Sequence, residues 1–317
     1  MNNFLSCDWG TSVFRLRFVD TATLGFSATE SNNHGIAKVF ELWKQSGSED
    51  RHAFYLQTII EHIKMLEQQT GQSFKNIPLI ISGMASSSLG MFEMDYKTIP
   101  FSVDGHDLVV KKVKPAKDFN RDIVIISGVR SNDDAMRGEE TQLIGCDHDL
   151  TEERIFIFPG THSKHVTVRK GLVVDVKTYM TGEFFELLSR KSILATSIQQ
   201  GEGLIDKENF EKGVVESRHS NLLHNSFLVR TNNLFKKLTT QENYYYLSGL
   251  LMGTELGELV IDNKRQITLV ASAEMRQLYT TAFNVLGLNE GKNNFQVEDP
   301  ALALIKGQLR ACKLFAV

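Results

Sequence analysis

Two stretches, Asp8-Trp9-Gly10-Thr11-Ser12-Val13-Phe14-Arg15 and Pro159-Gly160-Thr161-His162-Ser163-Lys164, carry the same device about 150 residues apart. In the first, Phe4 to Asp8 is a short apolar strand and Gly10-Thr11-Ser12 is a turn. Val13 to Val19 then places Phe14, Leu16 and Phe18 on one face, with the period of two that marks a half-buried strand. In the second, Arg154 to Phe158 is an apolar strand, Gly160-Thr161-His162 is the turn, and Lys164 to Val168 alternates in the same way. A glycine at a turn tip lets the backbone approach an anion closely, and successive amide N–H groups form a concavity suited to phosphate. One such turn is equally an ordinary hairpin with a polar tip. Two copies, each near the start of one half of the chain, predict two related α/β domains whose turns face a shared cleft and clamp one polyphosphate.

The surrounding pattern fills in both halves. Between His52 and Gln69, Leu56, Ile59, Ile60, Ile63 and Leu66 form one helical stripe, and Gly71 stands as its C-terminal stop. Pro78 to Ser82, Leu108 to Val113 and Asp122 to Ser127 read as strands, followed by a helical stretch from Arg137 to Cys146. This gives a first domain over residues 1–148. In the second, residues 149–317, a turn at Arg169-Lys170-Gly171 leads to a strand from Leu172 to Lys177. Helices from Glu242 to Ile261 and Glu274 to Leu286 flank a strand from Gln266 to Ala271, and a final helix from about Asp299 to Leu314 is expected to pack back on the first domain.

Composition excludes several classes. With 317 residues, 42% hydrophobic and 23% charged, the chain has side chains for two cores and no mark of disorder. A net charge of −3 offers no bulk positive field, so nucleic acid is not an expected partner. No apolar run approaches the roughly 18 to 20 residues that span a bilayer, so no membrane association is expected. The opening Met1 to Asp8 lacks a basic n-region, which predicts a cytoplasmic location. Cys7, Cys146 and Cys312 are too scattered for a zinc or redox motif and read as reduced, mostly buried thiols. Neither a Gly-x-x-x-x-Gly-Lys-Ser/Thr loop nor a Gly-x-Gly-x-x-Gly after a strand occurs, and there is no Gly-x-Ser-x-Gly elbow. His162 and His165 alternate faces along a strand and lack the geometry of a metal pair.

The run Asp8 to Arg15 resembles the first phosphate motif of the actin-like ATPase superfamily, which includes the hexokinases, glycerol kinase and the heat-shock chaperones. More narrowly, Met136-Arg137-Gly138-Glu139-Glu140-Thr141-Gln142-Leu143-Ile144-Gly145, Pro159 to Lys164, and Met180-Thr181-Gly182-Glu183 resemble the bacterial 2-dehydro-3-deoxygalactonokinases over nearly the whole chain. The resemblance implies two actin-like, ribonuclease H-like domains with mixed sheets flanked by helices and a nucleotide in the interdomain cleft. It also implies a kinase that uses ATP and Mg2+ to phosphorylate the 6-hydroxyl of 2-dehydro-3-deoxy-D-galactonate, a small-molecule sugar acid. A homodimer is an assembly to be tested. By the same resemblance Asp8 holds the metal, usually through water. Gly10, Thr11 and Ser12 form the first phosphate turn, and Gly160, Thr161 and His162 the second. The helical stretch Ser248 to Met252, with Gly249 and Gly253, covers the adenosine, although the i, i+4 spacing of those glycines serves close helix packing equally well.

Phosphoryl transfer to an alcohol needs a positioned carboxylate to take the hydroxyl proton. Asp134, in the loop Ser131-Asn132-Asp133-Asp134, is the first expectation, Asp133 the next and Glu139 the competitor. Either aspartate could instead cap the following helix. The carboxylate of a sugar acid calls for a cation, and Arg15, Arg130 and Arg137 lie near the key loops in sequence, where any one of them could instead pair with a local acid. Gly83, Met84, Ser86 and Ser87, in the loop Ser82 to Gly90, offer small residues and donors for a polyhydroxylated ligand. Two other readings stand beside this one. A nucleotide-dependent interaction protein of the same superfamily would usually need large inserted subdomains, and a kinase of a different hexose or sugar acid would differ only in its acceptor.

Overall fold

A strand with a continuous apolar run pairs in the middle of a sheet, and an alternating strand pairs beside it with one face outward. The opening residues follow that rule. In the computed structural model, which describes residues 2–114, 119–148, 151, 153–201, 205–261, 266–289 and 295–315, the chain divides into two compact units. The first comprises Met1–Thr151, Val168–Val176 and Asp299–Val317, and the second Glu152–Thr167 and Lys177–Glu298.

The chain begins with β1 (Asn3–Trp9), β2 (Phe14–Asp20), β3 (Phe26–Asn32), α1 (Ile36–Ser46), α2 (Arg51–Thr70) and β4 (Leu79–Gly83). Short strands follow, β5 (Lys97–Thr98) and β6 (Phe101–Ser102), then β7 (Val110–Val113), β8 (Ile123–Ile126), β9 (Val129–Arg130), β10 (Ala135–Met136) and the helix α3 (Glu139–Gly145). The main sheet of the first unit has the order β3-β2-β1-β4-β8-β7. β1 runs antiparallel to β2 and parallel to β4, in a register that sets Asp8 opposite Arg15 on one side and Ser82 on the other. β5, β9 and β10 make a separate small sheet.

The second half contains β11 (Arg154–Phe158), β12 (Ser163–Arg169), β13 (Leu172–Tyr179), α4 (Thr181–Lys191), α5 (Lys207–Glu216), α6 (Leu222–Leu234) and α7 (Thr240–Ile261). It continues through β14 (Gln266–Val270), α8 (Ala273–Val285) and β15 (Gln296–Glu298) to α9 (Pro300–Leu314), which belongs to the first unit. Its strand order β13-β12-β11-β14-β15 repeats the β3-β2-β1-β4-β8 of the first half, with β11 parallel to β14 and β14 parallel to β15. This duplicated mixed α/β architecture is the one the actin-like resemblance implies.

The core of the first unit joins the sheet to α2. Trp9 packs edge-on against Phe14 at 5.1 Å between ring centroids and against Tyr55 at 5.6 Å, with Ile59, Ile63 and Leu66 completing the helix stripe. Asp50 caps α2 by accepting from the Ala53 amide at 2.9 Å, and Gly71 ends it in a left-handed conformation. α9 starts from an Asp299 cap with Pro300 in its first turn. It lies against α3 so closely that a Cβ on Gly145 would stand 1.8 Å from the Ala303 carbonyl oxygen, and one on Gly307 1.8 Å from that of Thr141. Gln308 of α9 donates to the Cys7 carbonyl at 3.1 Å and to Ser82 Oγ at 2.9 Å beneath the sheet.

Three sequence expectations shift. Residues 108 and 109 precede β7, which starts at Val110. The segment Ser131 to Asp134 does not lead directly into a helix; it is the turn of the β9–β10 hairpin, closed by Ser131 N–H donating to the Asp134 carbonyl at 2.8 Å. The N-cap position of α3 is Gly138, so neither Asp133 nor Asp134 caps that helix. The three cysteines are free and buried, as expected.

Candidate active site

The first turn is shaped by what its carbonyls do. The Gly10 amide donates to the Val13 carbonyl at 2.9 Å, while the Gly10 and Thr11 carbonyls accept from Ile36 and Ala37 at the start of α1. Gly35 allows that contact, since a Cβ there would lie 2.3 Å from the Ser12 backbone. The amides of Thr11 and Ser12 donate to no group among the described residues, and both residues are exposed. Exposed, unpaired, successive N–H groups are the elements of an anion nest.

Asp8 and Arg15 sit beside this turn and hold each other, Arg15 Nη1 to Asp8 Oδ2 at 3.1 Å. One guanidinium nitrogen of Arg15 is thus paired with a local acid. The other Asp8 oxygen has no partner among the described residues. No group of three or more His, Cys, Asp or Glu side chains arranged to hold a metal ion occurs among the described residues. Such a donor set fits Mg2+, which keeps several waters and takes one or two carboxylates beside phosphate oxygens, and does not fit an ion that demands a full protein cage.

The loop Ser82 to Gly90 is tied down more than its composition suggested. Gly83 has φ +92°, and a Cβ there would meet the Trp9 carbonyl oxygen at 2.7 Å, so only glycine brings β4 this close to β1. Met84 to Ser86 form a short 3-10 helix. The Ser87 hydroxyl donates to the Met84 carbonyl at 2.7 Å, and buried Ser86 Oγ accepts from Arg137 Nη1 at 2.5 Å. Arg137 also donates to the Ser86 carbonyl at 2.7 Å and stacks 4.0 Å over Tyr96. Its guanidinium therefore braces the loop through Nε and Nη1.

Among the carboxylates, Glu139 and Glu140 open α3 directly after Gly138. Gly138, with φ +113°, packs against Gly83, which pairs with Trp9 at the end of β1. Half-buried Glu139 accepts from the Arg137 amide at 3.0 Å. Fully buried Glu140 accepts from the Gly138 amide at 2.7 Å and from Thr141 Oγ1 at 2.8 Å. Burial, reinforced by the neighbouring Glu139, pushes the Glu140 carboxyl up to about 7. Asp134 Oδ1 accepts from the Ala135 amide at 2.9 Å on its own hairpin, and Asp133 is exposed at the same tip.

The second turn is built within the second unit. Neither Gly10 nor Gly160 has a positive φ, and a Cβ on Gly160 would meet the His162 backbone nitrogen at an unstrained 4.0 Å. The amides of Thr161 and His162 donate to no group among the described residues, and the turn is exposed. Lys164 is only 6% exposed and donates to the His162 carbonyl at 3.3 Å, a buried cation beside the turn. His162 Nε2 is paired with Glu183 at 2.5 Å.

A pocket of about 360 Å3 opens on this turn. Gly160, Thr161 and Thr181 line its polar end, and Phe185, Tyr244, Tyr245, Met252, Met275 and Leu278 its apolar wall, with Ser248 and Glu274 also at its surface. Gly249 and Gly253 do not line it. They are the contact between α7 and α5, where a Cβ on Gly249 would lie 2.0 Å from the Phe210 carbonyl oxygen and one on Gly253 2.4 Å from Ser217 Oγ. Ser248, Leu251 and Met252 take the pocket-facing places on the same helix.

Sequence reasoning missed Glu140, Lys164, the tyrosine pair Tyr244-Tyr245 and the buried Glu255 of α7. The signals were present: Glu255 is an acid within a largely apolar helical run, and Lys164 a charged residue inside a strand. No helix among the described residues is long and apolar enough to cross a membrane.

Comparison with known proteins identifies a family and a fold. A family model described as 2-keto-3-deoxy-galactonokinase matches residues 8–304. A 2-dehydro-3-deoxygalactonokinase of Escherichia coli (strain K12) is 30% identical over 232 residues, 70% of this chain and 76% of that protein. A protein of Rhizobium meliloti (strain 1021) described as "Probable 2-dehydro-3-deoxygalactonokinase DgoK1" is 29% identical over 302 residues, 90% of each chain. A crystal structure of a provisionally assigned 2-dehydro-3-deoxygalactonokinase from Sinorhizobium meliloti superposes with a TM-score of 0.77 at 26% identity, covering 99% of this chain and 100% of that one.

Proposed function

We infer the activity from one premise: the chain belongs to the 2-keto-3-deoxy-galactonokinase family. It transfers the terminal phosphoryl group of ATP to the 6-hydroxyl of 2-dehydro-3-deoxy-D-galactonate, releasing ADP and 2-dehydro-3-deoxy-6-phosphogalactonate. The observation that carries this reading is the pocket of the second unit, where a cavity of about 360 Å3 with an aromatic and apolar wall ends on a turn with unpaired amides. Base and ribose occupy the pocket, and the polyphosphate leaves it over Gly160, Thr161 and His162.

Each residue then has a task. The Thr161 and His162 amides, and those of Thr11 and Ser12, hold phosphate oxygens through fixed dipoles that need no reorganisation as charge develops. Asp8 would hold Mg2+ through its unpaired oxygen and water. When bound, that ion neutralises charge on the phosphate oxygens. The sugar hydroxyl oxygen bonds to the γ-phosphorus as the bond from that phosphorus to the β–γ bridging oxygen breaks. The hydroxyl proton passes to a carboxylate. We assign that role to Glu139 rather than Asp134, since Glu139 follows Gly138, which packs against Gly83 beside Trp9 of β1, whereas Asp134 is fixed to the tip of another hairpin. The two units are read as the two actin-like domains, one carrying each turn.

A coupled assay of ADP release with a panel of sugar acids tests the function. Turnover that depends on 2-dehydro-3-deoxygalactonate is expected. Equal hydrolysis with and without it, or preference for another acceptor, would overturn the assignment.

A further inference from the structure

Glu255 projects from the middle of an apolar helix into a place where its side chain is 1% exposed. A carboxylate there is strongly unfavourable unless several donors replace its lost water. Three do so, each from a different element. Tyr279 Oη of α8 donates to both oxygens, at 2.9 and 3.1 Å; His165 Nε2 of β12 lies 3.0 Å from one; and Thr181 Oγ1, at the start of α4, donates to the other.

Two arms run from this carboxylate to the same turn. In the first, the Tyr279 hydroxyl spends its single proton on Glu255. Ser163 Oγ, 3.3 Å from Tyr279 Oη, must therefore be the donor in that contact, and Ser163 Oγ in turn accepts from the Gly160 amide at 3.4 Å. Burial and the neighbouring carboxylate hold the Tyr279 phenol well above its ordinary pKa, which keeps it a donor. All three bonds thus point the same way, from Gly160 to Glu255, and polarise one another. In the second arm, Thr181 anchors the start of α4. A Cβ on the next residue, Gly182, would lie 2.7 Å from the Gly160 carbonyl oxygen, and the Glu183 amide donates to the Thr161 carbonyl at 3.0 Å. The Thr-Gly-Glu run thereby fastens the outer side of the turn, while Ser163 fastens its inner side.

We propose that Glu255 is a positioning residue for nucleotide binding: as the common acceptor of both arms, it sets the backbone orientation that leaves the Thr161 and His162 amides directed at the polyphosphate. The proposal rests on the reading of Gly160 to His162 as the second phosphate turn. Glu255 touches no ligand itself. Its carboxylate is needed because a carboxamide of the same shape presents an NH2 group to at least one of the three donors.

The test is a set of variants assayed by steady-state kinetics and by direct calorimetric titration with MgATP. In Glu255→Gln, KM for ATP is expected to rise roughly tenfold or more, with KM for the sugar acid within about threefold of wild type. Thr181→Val should shift KM for ATP in the same direction, and Thr181→Ser, which keeps the hydroxyl, should restore it. The double variant Glu255→Gln/Thr181→Val should lose less than the product of the single effects, because both break one bond. If Glu255→Gln does not fold, the Thr181 pair decides alone. An unchanged KM for ATP, or equal rises for ATP and the sugar acid, would overturn the proposal. Failure of the kinase reading is seen separately, as wild-type protein that binds MgATP in the calorimeter without sugar-dependent turnover.

Discussion

Arg15 stands directly across the β1–β2 ladder from Asp8, and its guanidinium reaches that carboxylate at 3.1 Å. The pair places a positive charge next to a carboxylate that borders the Gly10-Thr11-Ser12 turn. Asp8→Asn is expected to lower kcat/KM by at least ~100-fold and to shift the magnesium dependence to higher concentration, since the amide cannot hold the ion. Arg15→Gln should leave KM for the sugar acid within about threefold, because the guanidinium is committed to Asp8. A rise beyond tenfold in that KM would show that Arg15 contacts the acceptor.

Glu139 and Asp134 compete for the proton of the sugar hydroxyl, and their different positions separate them. Glu139→Gln is expected to reduce kcat ~100-fold or more while KM for ATP stays near wild type, and Asp134→Asn to reduce it less than about tenfold. Initial rates at saturating substrates decide between them. The reverse pattern would move the base to the β9–β10 hairpin.

The buried Glu140 makes stability depend on pH. Its carboxyl, held at about 7 against an ordinary 4.5, binds its proton more tightly in the native state than in the unfolded chain. Its contribution is therefore fully present below pH 4.5 and is lost as pH rises through 7. Between pH 5 and pH 8 the loss is on the order of 2 kcal/mol. Glu140→Gln, which mimics the neutral acid, should remove it. Urea unfolding of both proteins at the two pH values would show the variant gaining on wild type at pH 8; parallel changes would refute the burial argument.

The α3–α9 crossing depends on the absence of two methyl groups. Gly307→Ala would set a Cβ 1.8 Å from the Thr141 carbonyl oxygen, a backbone atom that no rotamer change can relieve. A loss of about 2 kcal/mol or more in unfolding free energy is expected, with the helices forced apart. An alanine tolerated within about 0.5 kcal/mol would mean that α9 shifts freely along α3.

Much of this protein is legible in the order of its residues. The alternation from Val13 to Val19 and the apolar run of Arg154 to Phe158 are local signals, because a strand's period and burial depend on its own side chains. The stripe on α2 with its Gly71 stop is of the same kind. So are the two Gly-Thr turns, whose repetition announced the duplicated architecture. The motif Met136 to Gly145 and the Thr181-Gly182-Glu183 run pointed to the family without revealing what those residues touch.

Partnership was decided only in three dimensions. Whether Gly249 and Gly253 faced a ligand or a helix depended on where α5 came to rest, and α5 lies against them. Arg15 and Arg137 carried the charge expected of substrate contacts, yet the ladder gave one to Asp8 and the loop after β4 gave the other to Ser86. Glu140 and Glu255 read as ordinary acids until folding stripped their water, at which point one acquired a raised pKa and the other three donors from distant elements. Periodicity is a property of neighbours along the chain. Desolvation and hydrogen-bond assignment are set by atoms that meet only after the chain has closed on itself.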